Sequence, residues 1–235
     1  MNNIAQKIYI VQLQALTYNL NKDHYNILEM FRLQYVSNLY LHYYDKATFP
    51  LLVKPAARYL ALSGNIGQPS NVYASFLNYA SKYWDKVFYV GGETERFTHL
   101  NDYTKQYKNI IVLNDTNPSV YIPQANVAII GATPTDCRLK EQIDRWTLQQ
   151  AQICVITPEP PIPSFSTLNI RAWITSGNVS AHTNLTNKTV AVVNGRGTKE
   201  TPSDNYSTSA ILEFPLKDPD PNLDPILVDS ATGWA

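Results

Sequence analysis

Apolar residues fall along this 235-residue chain in short runs rich in β-branched and aromatic side chains: Ile8 to Val11, Arg58 to Leu62, Lys86 to Val90, Asn109 to Leu113, Val127 to Ile130, Ile153 to Ile156, Arg171 to Ile174 and Thr189 to Val193. Near-continuous apolar runs of this length suit strands buried on both faces. Between them, longer segments space their apolar residues three or four apart, as helices do: roughly Tyr25 to Tyr40, Asn71 to Trp84, His99 to Lys105 and Arg138 to Gln150. In the second of these, Tyr73, Phe76, Leu77, Ala80 and Trp84 form one apolar stripe, which predicts a helix lying on a sheet. The alternation predicts a layered α/β domain over residues 1–213, its strand-rich later half forming a second sheet stacked on the first.

The pattern breaks at Phe214. Pro215, Pro219, Pro221 and Pro225 stand too close together for a helix or a central strand, so residues 214–235 are predicted to be an extended tail. Two readings of it stand side by side. It is a solvated terminus, or it is a docking arm, since Ile226, Leu227 and Trp234 are apolar groups that a free tail gains little by carrying.

Composition narrows the partners. Nineteen Lys and Arg balance 19 Asp and Glu, and only 16% of residues are charged against about 25% in an ordinary soluble domain. With no basic excess or basic run, neither nucleic acid nor an anionic membrane is an expected partner. No apolar stretch approaches the roughly 20 residues of a membrane span. The missing charge is replaced by 21 Asn, 11 Gln and 16 Tyr, a surface that is polar yet cheap to desolvate. Met1 leads almost at once into Lys7-Ile8-Tyr9-Ile10-Val11 without the regions of a signal peptide, and Cys137 and Cys154 match no CxxC spacing. An intracellular, unsecreted protein with reduced structural thiols is expected.

In layered α/β folds chemistry gathers at the carboxyl ends of strands. Those ends read Val11-Gln12-Leu13-Gln14, then Leu62-Ser63-Gly64-Asn65-Ile66-Gly67, Val90-Gly91-Gly92-Glu93-Thr94-Glu95, Ile156-Thr157-Pro158-Glu159, and Ser176-Gly177-Asn178-Val179-Ser180. In order and spacing, over roughly residues 7–200, this resembles the calcineurin-like metallophosphoesterase family. That family reads Asp-x-His after its first strand, Gly-Asp after the second, Gly-Asn-His-Glu after the third, a His after a later Val-Thr strand, and then Gly-His-x-His. The resemblance implies an α/β/β/α sandwich of two mixed sheets flanked by helices. In the family these groups hold two divalent metals that generate a hydroxide and clamp a phosphate.

The resemblance also shows what this chain lacks. Gln12 and Gln14 stand for the first Asp and His, and Asn65 for the bridging Asp. Glu93 and Thr94 replace Asn-His, Pro158 and Glu159 fall at the later His, and Asn178 and Ser180 fall at the last pair. Amide oxygens supply neither the negative charge nor the bridge that two dications need. The expectation is therefore a degenerate member with no catalytic residue, metal or cofactor: a structural, interaction protein and not an enzyme. Its expected partners are other proteins of a larger assembly, reached in part through the tail; a minor capsid protein in the virion of a large DNA virus is one such component. Two alternatives stand beside it. One is a phosphodiesterase with a metal site rebuilt from Glu93, Glu95, Glu159 and His182; the other is a non-catalytic module that accepts a neutral polar ligand on Gln12, Gln14, Asn65 and Asn178.

Overall fold

A computed structural model describes residues 30–95, 100–132, 137–161, 169–178, 180–184 and 189–216. Eleven strands among them form two sheets. The first holds β1 (Met30–Ser37), β2 (Tyr59–Ser63), β3 (Lys86–Val90), β4 (Ile110–Val112) and β11 (Ile211–Pro215), in the order β11-β1-β2-β3-β4. The second holds β5 (Ser119–Ile122), β6 (Val127–Gly131), β7 (Gln152–Thr157), β8 (Ala172–Thr175), β9 (Ser180–Asn184) and β10 (Val190–Asn194), in the order β5-β6-β7-β8-β10-β9. β1 to β4 are parallel, as are β6, β7, β8 and β10, while β11, β5 and β9 are antiparallel edges.

Strand periodicity sorts the core into three layers. Ala61, Phe88, Ile129, Cys154, Ile156 and Ile174 fill the space between the sheets. Their neighbours in sequence point outward: Leu60, Leu62, Val87 and Tyr89 meet Tyr73, Phe76, Leu77 and Ala80 of helix α2 (Asn71–Tyr83), the α1 turn (Phe49–Leu52) packing beside them. On the far side Ala128, Ile130, Ile153, Val155 and Trp173 meet Leu139, Ile143 and Trp146 of helix α4 (Cys137–Leu148), and the short α3 (Leu100–Thr104) lies between β3 and β4 in the chain. This is the expected α/β/β/α sandwich. Helix α2 starts where Ser70 accepts a hydrogen bond from the Tyr73 N–H at 3.2 Å, a side-chain N-cap. The sheets approach closely at Gly131, where a Cβ would lie 2.3 Å from Leu113 Cβ.

Several expectations change. Residues 30–37 are strand, where helical spacing was expected over Tyr25 to Tyr40. Phe31, Leu33 and Val36 are buried, and so is Gln34, whose amide makes a polar residue fit a core position. Strands β5, β9 and β11 add to those the apolar runs mark. Phe214 and Pro215, expected to open the tail, close β11 and pair with Phe31 and Met30, an edge position that spares the ladder the N–H proline lacks. Cys154 is fully buried in β7, and burial pushes its thiol up, as befits an inert core residue. The run Ile8 to Val11, with Gln12 and Gln14, and the tail residues Pro219, Pro221, Pro225, Ile226, Leu227 and Trp234 lie outside the described residues.

Candidate functional site

The carboxyl ends of β1, β2 and β3 converge with those of β7 and β8. The strand that precedes and adjoins β2 in the sheet is β1, and Asn38-Leu39-Tyr40 follows its carboxyl end; Gln12 and Gln14, to which the resemblance gave Asp-x-His, lie outside the described residues. At the end of β1 the sequence offers only the switch from Tyr35-Val36 to Ser37-Asn38, because Arg32 and Gln34 interrupt the apolar run before it.

The backbone after β1 and β2 is tightly wound. Asn38 and Tyr40 both have φ of 47°, Gly64 64° and Asn65 53°, the left-handed region that Gly and Asn accept and a tyrosine enters only under constraint. The two turns run side by side: the N–H groups of Asn38, Tyr40 and Leu41 donate to the carbonyls of Gly64, Asn65 and Ile66 at 3.0, 3.2 and 2.9 Å. Gly92 closes in from β3, where a Cβ would stand 2.6 Å from the Asn65 nitrogen.

Side-chain amides fill the space these turns enclose. The Thr94 N–H donates to Asn65 Oδ1 at 3.2 Å, Asn65 Nδ2 to Asn38 Oδ1 at 3.3 Å, and Asn38 Nδ2 to Asn178 Oδ1 at 2.7 Å. The Tyr40 hydroxyl reaches the same Asn178 oxygen at 3.2 Å. Burial, and after it the charges of Glu95, Tyr43 and Glu93, push the Tyr40 phenol above its ordinary pKa, so it stays a donor. Asn38 is buried and Asn178 exposed, so the network runs from the interior to the rim. Thr94 Oγ1 is buried there without a partner.

The remaining expected positions divide. Glu95 is 1% exposed, and its carboxylate accepts the backbone N–H groups of Asn65, Ile66, Gly67 and Gly92; it is a clamp on two turns. Thr157 hydrogen-bonds the Glu159 carbonyl at 2.6 Å, and Ser176 Oγ donates to the Pro158 carbonyl, so this turn engages through its main chain. Ser180 opens β9 and bonds Asn194 Oδ1 at 3.2 Å, apart from the amide network. Glu93, Glu159 and His182 are exposed.

The two dications that the resemblance implies do not fit this donor set. Asn38, Asn65 and Asn178 are neutral, and each of their amide oxygens already accepts a hydrogen bond; none of the three supplies a bridging anion. Among the described residues no group of three or more His, Cys, Asp or Glu side chains is placed to hold a metal ion. The rebuilt site expected of Glu93, Glu95, Glu159 and His182 is not assembled, because Glu95 is spent on backbone and His182 lies on an edge strand.

Comparison with family models finds no match, and comparison with curated proteins finds none either. Solved structures do share the fold. The protein TT1561 of Thermus thermophilus superposes with a TM-score of 0.53 at 13% identity, over 71% of this chain and 89% of that one. The phosphopantetheinyl hydrolase PptH from Mycobacterium tuberculosis gives 0.54 at 10% identity, over 82% and 98%. At these identities the likeness is one of fold alone. The expectation that the chain is not an enzyme is thereby corrected. PptH, which shares this architecture, is a hydrolase. No helix among the described residues is long and apolar enough to cross a membrane.

Proposed function

We propose that this protein is a protein-binding component of a larger assembly, built on a phosphoesterase-like fold. The observation that supports the reading is a groove of about 710 Å³ at the amino ends of the parallel strands, away from the amide network. Phe31, Pro55, Ala57, Tyr59, Tyr83 and Leu216 line it, and Tyr83 is 58% exposed. The charges at its edge are matched within the chain: Arg32 pairs with Glu213 at 2.8 Å and Arg58 with Asp85 at 2.6 Å. It therefore offers apolar area with no net charge to steer a ligand. The occupant it fits is an extended, uncharged segment of another protein with an apolar anchor, lying beside the edge strand β11. A minor capsid protein is one component of this kind, and the sequence resemblance is what points to a virion.

Native mass measurement of the protein from its own source, repeated with Tyr83→Arg, tests this. A complex heavier than one chain that Tyr83→Arg dissociates is expected. A single-chain mass for the unaltered protein, or a complex indifferent to Tyr83→Arg, would overturn it.

A further inference from the structure

We propose that the amides of Asn38, Asn65 and Asn178 take the mechanical place of bridging cations, tying the carboxyl ends of the two sheets together by hydrogen bonds that need no ion. This goes beyond the assembly reading and does not depend on it. The bonds run in one direction, from the Thr94 N–H through Asn65 and Asn38 to the Asn178 oxygen. They thereby link the turns after β3, β2 and β1 of one sheet to the turn after β8 of the other, and Asn38 and Asn178 are 140 residues apart in the chain.

The chemistry explains why amides suit this place. Asn38 and Asn65 sit at φ of 47° and 53°, where Asn and Asp are both tolerated, so an amide keeps the turn that a carboxylate of the same shape would occupy. At positions 38 and 65 the facing side-chain atoms are 3.3 Å apart. Two carboxylates at that distance repel unless a cation lies between them. Two amides present one donor to one acceptor, and aligned head to tail they polarise one another. A cation approaching Asn38 or Asn65 meets oxygens already bound to N–H groups.

The test is thermal unfolding of the full chain in EDTA and in excess MnCl2. The unaltered protein is expected to melt at one temperature in both, since an ion that binds only the folded state raises it. Asn178→Ala, which removes the shared acceptor, is expected to lower the midpoint by about 2–4 °C in both media. Asn38→Asp keeps the shape and the turn but faces Asn178 Oδ1 with a second acceptor, and is expected to lower it at least as much. Stabilisation of the unaltered protein by manganese would overturn the proposal, as would an unchanged midpoint for either variant. Should Asn38→Asp fail to fold, the other two measurements decide.

Discussion

The Glu95 carboxylate and the Gly92 N–H are joined at 2.7 Å within the turn that follows β3. The same oxygen, Oε2, accepts the Asn65 N–H at 3.1 Å, while Oε1 accepts the N–H groups of Ile66 and Gly67. One buried side chain thus satisfies backbone donors of two turns that would otherwise be orphaned. In Glu95→Gln one oxygen becomes an NH2 facing N–H donors. A loss of about 2–4 kcal/mol is expected, read as a lower denaturant midpoint at unchanged slope. A change below about 1 kcal/mol would remove Glu95 from this role.

Gln34 is the second buried polar clamp. Its Oε1 accepts the Trp84 indole N–H at 3.1 Å and the Ala56 N–H at 3.0 Å, and its Nε2 donates to the carbonyls of Lys54 and Thr208 at 2.9 and 3.0 Å. Gln34→Leu preserves volume and removes all four bonds, and of these partners the Thr208 carbonyl keeps the Lys54 N–H at 2.9 Å, so a loss of about 3 kcal/mol is expected. Combined with Trp84→Phe, the losses should fall short of additive, because one bond is counted in both. Strict additivity would show that Gln34 and Trp84 do not act together.

Alkaline pH is expected to unfold the protein through its buried phenols. Burial holds Tyr73, Tyr89 and Tyr206 well above the ordinary 10.0, and pushes Tyr79 up to about 12. Between pH 10 and these higher values the unfolded chain has lost its phenolic protons and the folded chain has kept them. Stability is therefore intact below pH 10 and falls as pH rises from there through 12 and beyond. Phenolate absorbance followed during alkaline titration should rise in the same step as circular dichroism is lost. Ionisation of all sixteen tyrosines near pH 10 with the fold intact would contradict this.

Much of the architecture was legible residue by residue. Leu60-Ala61-Leu62 and Val87-Phe88-Tyr89 are apolar on both faces, and that alone marks strands enclosed between a helix layer and a second sheet. Residues 30–37 were not legible, because Gln34 and Arg32 break the apolar run. Only neighbours distant in sequence, Trp84 and Thr208 for the amide and Glu213 for the guanidinium, make those polar groups compatible with a strand. The site divides in the same way: the motif frame contains Asn65, Thr94 and Asn178, while Asn38 and Tyr40 join them only through the fold.

By itself, then, the sequence determined the layered α/β class, the positions of most parallel strands and the amide-rich strand ends, since periodicity and residue chemistry are local properties. Only the tertiary structure decided which strand opens the site, that Asn38 meets Asn178 across two sheets, and that Glu95 faces backbone instead of an ion. Each of those depends on left-handed turns and on partners brought together by packing, and no spacing along the chain encodes a contact that only the folded sheets create.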